Sequence, residues 1–161
     1  KGLTSGTVPM GAVMARKPIY DAMMAAGGPE KSIELFHGYT YSGHPVAAAA
    51  ALATLDVYKE EGLFERAATL SQYWEDAIHS LKGVRHVIDL RNIGLVGGIE
   101  LESRPGAVGA RAFEAFTKAF DKGVLIRVTA DIIALSPPLI VEKPQIDQMV
   151  DTVRTVLKDV A

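Results

Sequence analysis

Lys1-Gly2-Leu3-Thr4-Ser5-Gly6-Thr7-Val8-Pro9-Met10-Gly11-Ala12-Val13 is the stretch from which the rest of the chain is read. A lysine leads straight into a loop punctuated by Gly2, Gly6, Pro9 and Gly11. Glycines this dense let a backbone take left-handed angles and come close to another group. The apolar run Gly11–Ala15 behind the loop reads as a short strand returning from a turn. A lysine amine held in such a place is a nucleophile suited to forming a Schiff base with a carbonyl. A lone Lys-Gly would be an ordinary solvated side chain. The whole string is what singles Lys1 out.

A second stretch of the same character is Phe36-His37-Gly38-Tyr39-Thr40-Tyr41-Ser42-Gly43-His44-Pro45, which has neither helical nor strand period. It runs into Val46–Glu61, whose alanines, Leu52, Leu55 and Tyr58 favour helix. Pro45 suits the first helical position and Gly62 the stop. A hydroxyl and a backbone N–H beside a helix start form a phosphate seat, although Thr40 equally suits a plain turn or cap. No carboxylate or cysteine accompanies His37 and His44 at ligand spacing, so loop hydrogen bonding is expected of both and no metal site. Between the two stretches, Pro18–Ala26 reads as a short helix ended by Gly27-Gly28-Pro29.

Beyond Gly62 the pattern is that of a compact α+β domain. Leu63–Lys82 places Leu63, Ala67, Leu70, Trp74, Ile78 and Leu81 on a helical face and stops at Gly83. Val84–Leu90 and Leu95–Leu101 read as strands around the turn Arg91-Asn92-Ile93-Gly94, with Gly97-Gly98 marking a bulge or close packing. Ala107–Asp121 is a helix stopped by Gly123, and its stripe of Phe113, Phe116 and Phe120 is expected in the core. Val124–Val128 and Ile132–Leu135 are two further short strands around Thr129-Ala130-Asp131. The last helix opens near Pro144 and aligns Ile146, Met149, Val150, Val153, Leu157 and Val160. Lys59-Glu60-Glu61 and Lys158-Asp159 read as solvated helix ends. Arg127 stands out because it closes an apolar strand where Val or Ile would be usual. Arginine there either snorkels to solvent, joins a surface ion pair, or meets an anion, and its planar fork fits a carboxylate.

Composition narrows the function classes. With 48% hydrophobic and 22% charged residues among 161, the chain is long and apolar enough for a real core. A net charge of −2 leaves no footprint for nucleic acid or an anionic membrane. The longest apolar stretch, Pro45–Leu55, is too short to span a bilayer. The absence of cysteine excludes disulfides and thiolate metal sites within these residues and fits a reducing, cytoplasmic setting. A chain that opens without methionine in a glycine-rich loop is expected to be the C-terminal portion of a longer one.

Both glycine-rich stretches, and the later Gly-Val-Leu-Ile-Arg and Ile-Ala-Leu-Ser-Pro-Pro-Leu-Ile, resemble segments of the fold-type I, class III aminotransferases, which use pyridoxal 5'-phosphate. The resemblance covers essentially the whole chain and is nearest to the ω-amino acid (β-alanine)–pyruvate subgroup. It implies an α/β transferase of fold type I. Residues 1–61 would be the end of the large cofactor-binding domain with the interdomain helix, and 62–161 the C-terminal small α+β domain. It implies that Lys1 is the lysine that binds the cofactor as a Schiff base and shuttles a proton. Thr40 would bind the phosphate of the partner subunit's cofactor, which makes a homodimer part of the mechanism, and Arg127 would take the substrate carboxylate. An aminomutase or racemase of the same class, or a non-catalytic domain derived from such an enzyme, are the rival readings.

Overall fold

The structure, a computed structural model, describes residues 1–26 and 38–161. The expected stop at Gly27-Gly28-Pro29 and the loop residue His37 lie outside the described residues. The chain divides into two compact units, Lys1–Glu61 and Gly62–Ala161.

In the first unit a short 3-10 turn, Gly2–Thr4, is followed by helix α1 (Lys17–Ala26) and helix α2 (Pro45–Glu60). The strand expected over Gly11–Ala15 does not form. Residues 9–16 have no regular structure and are almost entirely exposed, because no strand among the described residues supplies hydrogen-bond partners. Helix α2 starts as its sequence dictates, with Pro45 in the first turn and the His44 ring accepting from the Ala47 amide at 3.4 Å. Its end coincides with Gly62 in the left-handed region (φ 57°).

The second unit is a four-stranded antiparallel sheet with three helices. Its elements are α3 (Leu63–His79), β1 (Val87–Ile93), β2 (Val96–Leu101), α4 (Ala110–Asp121), β3 (Arg127–Thr129), β4 (Ile132–Leu135) and α5 (Lys143–Asp159). The strand order is β1-β2-β4-β3. Two hairpins are thus joined into one sheet by the β2–β4 pairing, in which Gly97 faces Leu135 and Ile99 faces Ile133. The first hairpin turns more tightly than expected. Arg91, Asn92 and Ile93 belong to β1, and the chain reverses at Gly94-Leu95 with Gly94 at φ 52°. The only register shift in that pair falls at Val87/Asp89, not at the paired glycines.

Gly97 and Gly98 instead mark close packing. A Cβ on Gly97 would sit 2.9 Å from the Ile78 side chain and 3.3 Å from Trp74, and one on Gly98 would press on Arg91. Bare backbone there lets α3 lie flat on β2. Trp74, Ile78 and Leu81 are wholly buried against Ile99, Leu101 and Ile133 on the sheet and Ile146, Val153 and Leu157 on α5. Each such side chain contributes about 1.5–3 kcal/mol of apolar burial. Helix α5 opens with a reciprocal capping box between Glu142 and Gln145, with proline in the first turn.

The phenylalanine stripe of α4 is a correction. Ala112, Ala115 and Ala119 face the core, whereas Phe113 and Phe120 are 62% and 61% exposed and only Phe116 packs partly against it. Phe113 and Phe116 stack at 5.9 Å between ring centroids along the outer side of the helix.

Candidate active site

The loop after Lys1 is folded around that residue's own carbonyl. The Gly6 amide reaches Lys1 O at 2.8 Å and the Thr4 amide at 3.3 Å, while Ser5 (φ 51°) and Gly6 (φ 76°) turn the chain left-handed. Thr4 is buried, and its hydroxyl donates to the Val8 carbonyl at 2.6 Å. From α2, the Tyr58 hydroxyl donates to the Gly2 carbonyl at 2.8 Å. The backbone is therefore fixed from inside and from the helix, while the Lys1 side chain is exposed and its ammonium meets no ion-pair partner among the described residues. A flexible side chain on a backbone that is held in place suits a covalent nucleophile.

Thr40 begins a turn that runs to Gly43, closed by the Ser42 amide on Tyr39 O at 2.9 Å, with Gly43 at φ 71°. The turn delivers the chain to His44 and the amino end of α2, where the helix dipole favours an anion, although Pro45 has no amide and the Ala47 amide is held by the His44 ring. The Thr40 hydroxyl is exposed and makes no hydrogen bond to the described residues. Val8–Gly11 and Tyr41–His44 together line a cleft of about 450 Å³, so parts of the two glycine-rich stretches meet within one unit, although neither Lys1 nor Thr40 is among the lining residues. His44 serves as the cap of α2, in keeping with a hydrogen-bonding rather than metal-binding histidine.

Arg127 lies in the other unit. It opens β3 instead of closing a strand, because Val124–Ile126 form no ladder and Val124 is tied back by its amide to Ala119 O at 2.9 Å. Arg127 pairs with Ala134 across the sheet edge. It lines a cleft of about 770 Å³ whose walls include Phe113, Phe116, Leu125, Pro137 and Met149. Its guanidinium is exposed and without an acidic partner among the described residues. Three other arginines of this unit are engaged. Arg66 donates to the carbonyls of Ile140 and Val141, Arg104 pairs with Glu114, and the buried Arg111 bonds the carbonyls of Glu102 and Ala161. The fork of Arg127 is not engaged by an acidic side chain among the described residues.

Two carboxylates in this unit are strongly shaped by their surroundings. Hydrogen bonds from Lys118 and Arg104 hold the Glu114 carboxyl down to about 2. Burial pushes the Asp131 carboxyl up, but the Gly109 amide, the Ser103 side chain, the Ala112 amide and the charge of Arg111 outweigh it and hold the group below its usual value. Neither Asp131 nor Arg111 is flagged by the sequence. The available signal is negative: α4 has Gly109 at its cap position, which offers no side-chain acceptor, so the first-turn amides need one from elsewhere.

The profile of the family Aminotransferase class-III matches residues 1–157 of the chain. The chain belongs to the class-III aminotransferases. Among curated class-III relatives it is 64% identical over 160 residues to an omega-aminotransferase of Caulobacter vibrioides, covering 99% of this chain and 36% of that protein. It is 40% identical over 161 residues to the beta-alanine–pyruvate aminotransferase of Pseudomonas aeruginosa, again covering 36% of the relative. Among solved class-III structures, the adenosylmethionine-8-amino-7-oxononanoate aminotransferase of Methanocaldococcus jannaschii superposes with a TM-score of 0.87 at 29% identity, over 98% of this chain and 37% of that one. An (S)-enantioselective omega-transaminase from Thermomicrobium roseum gives 0.85 at 30% identity, over 99% and 36%. This class-III chain thus spans a little over a third of the length of the relatives it matches, with the fold-type I architecture they share.

Proposed function

We propose that the chain is the lysine-bearing and C-terminal part of a pyridoxal phosphate-dependent aminotransferase that moves an amino group from an ω-amino acid such as β-alanine, or from an amine, to pyruvate. Residues 1–61 are read as the end of the large domain and 62–161 as the small domain of that enzyme. The observation that carries the reading is Lys1, an uncommitted amine on a loop braced by Thr4 and Tyr58. The subgroup is supported by the 64% and 40% identities to proteins named omega-aminotransferase and beta-alanine–pyruvate aminotransferase.

The residues fit the cofactor they would hold. Lys1 Nζ would be the attachment point, and Thr40 Oγ1, which meets no partner among the described residues, would donate from its turn to a phosphate oxygen of the partner subunit's cofactor. Pyridoxal phosphate bound there supplies an electron sink for the charge left when a proton leaves the substrate carbon. Lys1 Nζ would take the proton that leaves the substrate carbon and give it back later in the exchange, as a general base and then a general acid. Arg127 holds the carboxylate of acidic donors and of pyruvate through two parallel N–H bonds. Thr40 serves the cofactor of a partner subunit, so the working enzyme is read as a homodimer. The setting is read as cytoplasmic. Among the described residues no helix is long and apolar enough to cross a membrane.

The test is Lys1→Ala in the full-length enzyme. Transamination of pyruvate by β-alanine is expected to fall by at least about 10³-fold, and borohydride reduction is expected to leave no cofactor mass on the peptide holding that position. An unmodified peptide in the parent enzyme after the same treatment would sink the reading.

A further inference from the structure

Strand β3 is the weakest support in the second unit for a residue that must present a charge accurately. It is three residues long and lies at the sheet edge, so β4 alone pairs with it. Its turn is also awkward, with Ala130 in the left-handed region at φ 47°. That conformation persists in a residue bearing a Cβ only where neighbours enforce it.

The enforcement comes from Asp131. This residue is 4% exposed, and its carboxylate accepts from the Gly109 amide at 2.7 Å and from the Ala112 amide at 3.2 Å, at the opening of α4. Its own carbonyl accepts from the Leu101 amide at 2.8 Å, so the hairpin tip is also tied to the end of β2. Gly109 completes the seat in the left-handed region, at φ 85°, which a residue with a Cβ rarely adopts, and lies in contact range of the Ala130 backbone. Arg111, buried in the first turn of α4, adds a positive charge beside the carboxylate. A helix without a side-chain cap of its own has thus borrowed one from the loop that follows the Arg127 strand.

We propose that Asp131 is a positioning residue for Arg127: by clamping the tip of the β3–β4 hairpin to the amino end of α4, it fixes where the guanidinium is presented. The proposal rests on the reading of Arg127 as the group that holds substrate carboxylate. Displacement of that group by a fraction of an ångström at a strand edge acts on carboxylate-bearing donors and leaves neutral amines alone, because only the former use it.

The experiment uses the full-length holoenzyme and two donors of equal skeleton, β-alanine and n-propylamine, with pyruvate as acceptor. In Asp131→Ala, kcat/KM for β-alanine is expected to fall about tenfold or more relative to n-propylamine, mainly through KM. Asp131→Asn, which keeps an acceptor oxygen for Gly109 but sets an NH2 group against the Ala112 amide, is expected to recover part of that ratio and to leave a shift of about twofold or more. Arg127→Ala is the control. If it loses β-alanine selectively while Asp131→Ala loses both donors equally, the positioning role is overturned and the reading of Arg127 survives. If Arg127→Ala itself loses both equally, the reading of Arg127 falls and the proposal with it. Should Asp131→Ala fail to fold, Asp131→Asn alone decides: a partial shift of at least about twofold against β-alanine supports the role, and an unchanged ratio overturns it.

Discussion

The two units reach order by different routes. The second, Gly62–Ala161, surrounds a core in which Trp74, Ile78, Ile99, Ile133, Ile146 and Leu157 are fully buried, and sheet and helices close on each other. The first, Lys1–Glu61, buries only Thr4, Ala47, Ala51 and Thr54 among its described residues, and α1 buries nothing. Val13 and Met14 are each 97% exposed, and Ile19, Tyr20, Met23 and Met24 are all exposed along α1. Among the described residues these apolar side chains have no packing partner that buries them. One unit is held by its own packing. The other is held by local hydrogen bonds, and that is where Lys1 sits.

The contrast can be broken most directly by hydrogen exchange on the 161-residue chain. Amides of β2, β4, α3 and α5 are expected to exchange orders of magnitude more slowly than those of α1 and residues 2–8, since local opening costs little where few apolar contacts are lost. Equal protection in the two units would refute it. A smaller effect sharpens the same point. Trp74→Ala is expected to destabilise the second unit by about 3–5 kcal/mol in urea titration, whereas Ile19→Ala in the same chain should change stability by under about 0.5 kcal/mol. A large loss from Ile19 would mean that α1 is packed after all.

The smallest effect concerns acid. Glu114 titrates at about 2 in the folded chain against an ordinary 4.5, because Lys118 and Arg104 bind its charged form. A depressed carboxyl stabilises the fold fully above the unfolded value and loses that contribution as pH falls through the folded one. Stability should therefore decline between about pH 4.5 and 2, and Glu114→Gln should remove about 1 kcal/mol of that slope, the partly exposed ion pairs being screened by solvent. An unaltered acid limb in the variant would count against the Arg104–Glu114–Lys118 cluster.

Much of this was legible from residue order, for identifiable reasons. Punctuation carried the helices: Pro45 fits a first turn only, and Gly62, Gly83 and Gly123 all adopt the positive φ that ends a helix or starts a turn. The alternation in β2 and β4 also survives, because a one-residue slip would turn Ile99 and Ile133 to solvent. Helix α4 was misread because it carries two apolar stripes of the same period, Ala112-Ala115-Ala119 and Phe113-Phe116-Phe120. Periodicity cannot choose between them. The gap between helix and sheet chooses, and it admits only alanine on the inner side. The Gly11–Ala15 run was misread because strand propensity without a partner strand has nothing to bond to.

For the site, Lys1, Thr40 and Arg127 could be named from resemblance, and each proves to carry a polar group not engaged by the described residues around it. Asp131 could not be named, since its role exists only once a hairpin tip meets a helix 19 residues away in sequence.

The slipped pairing at Val87/Asp89 bears on how this chain behaves when crowded. Strand β1 forms the outer rim of the sheet, and its Ile88 and Ile93 point into water. Two molecules can zip together along such rims only where both are straight and bare of charge. The kink interrupts the row of free amides and carbonyls, and Asp89 with Arg91 places opposite charges on the same few ångströms. A greasy margin is thereby kept from recruiting its own kind.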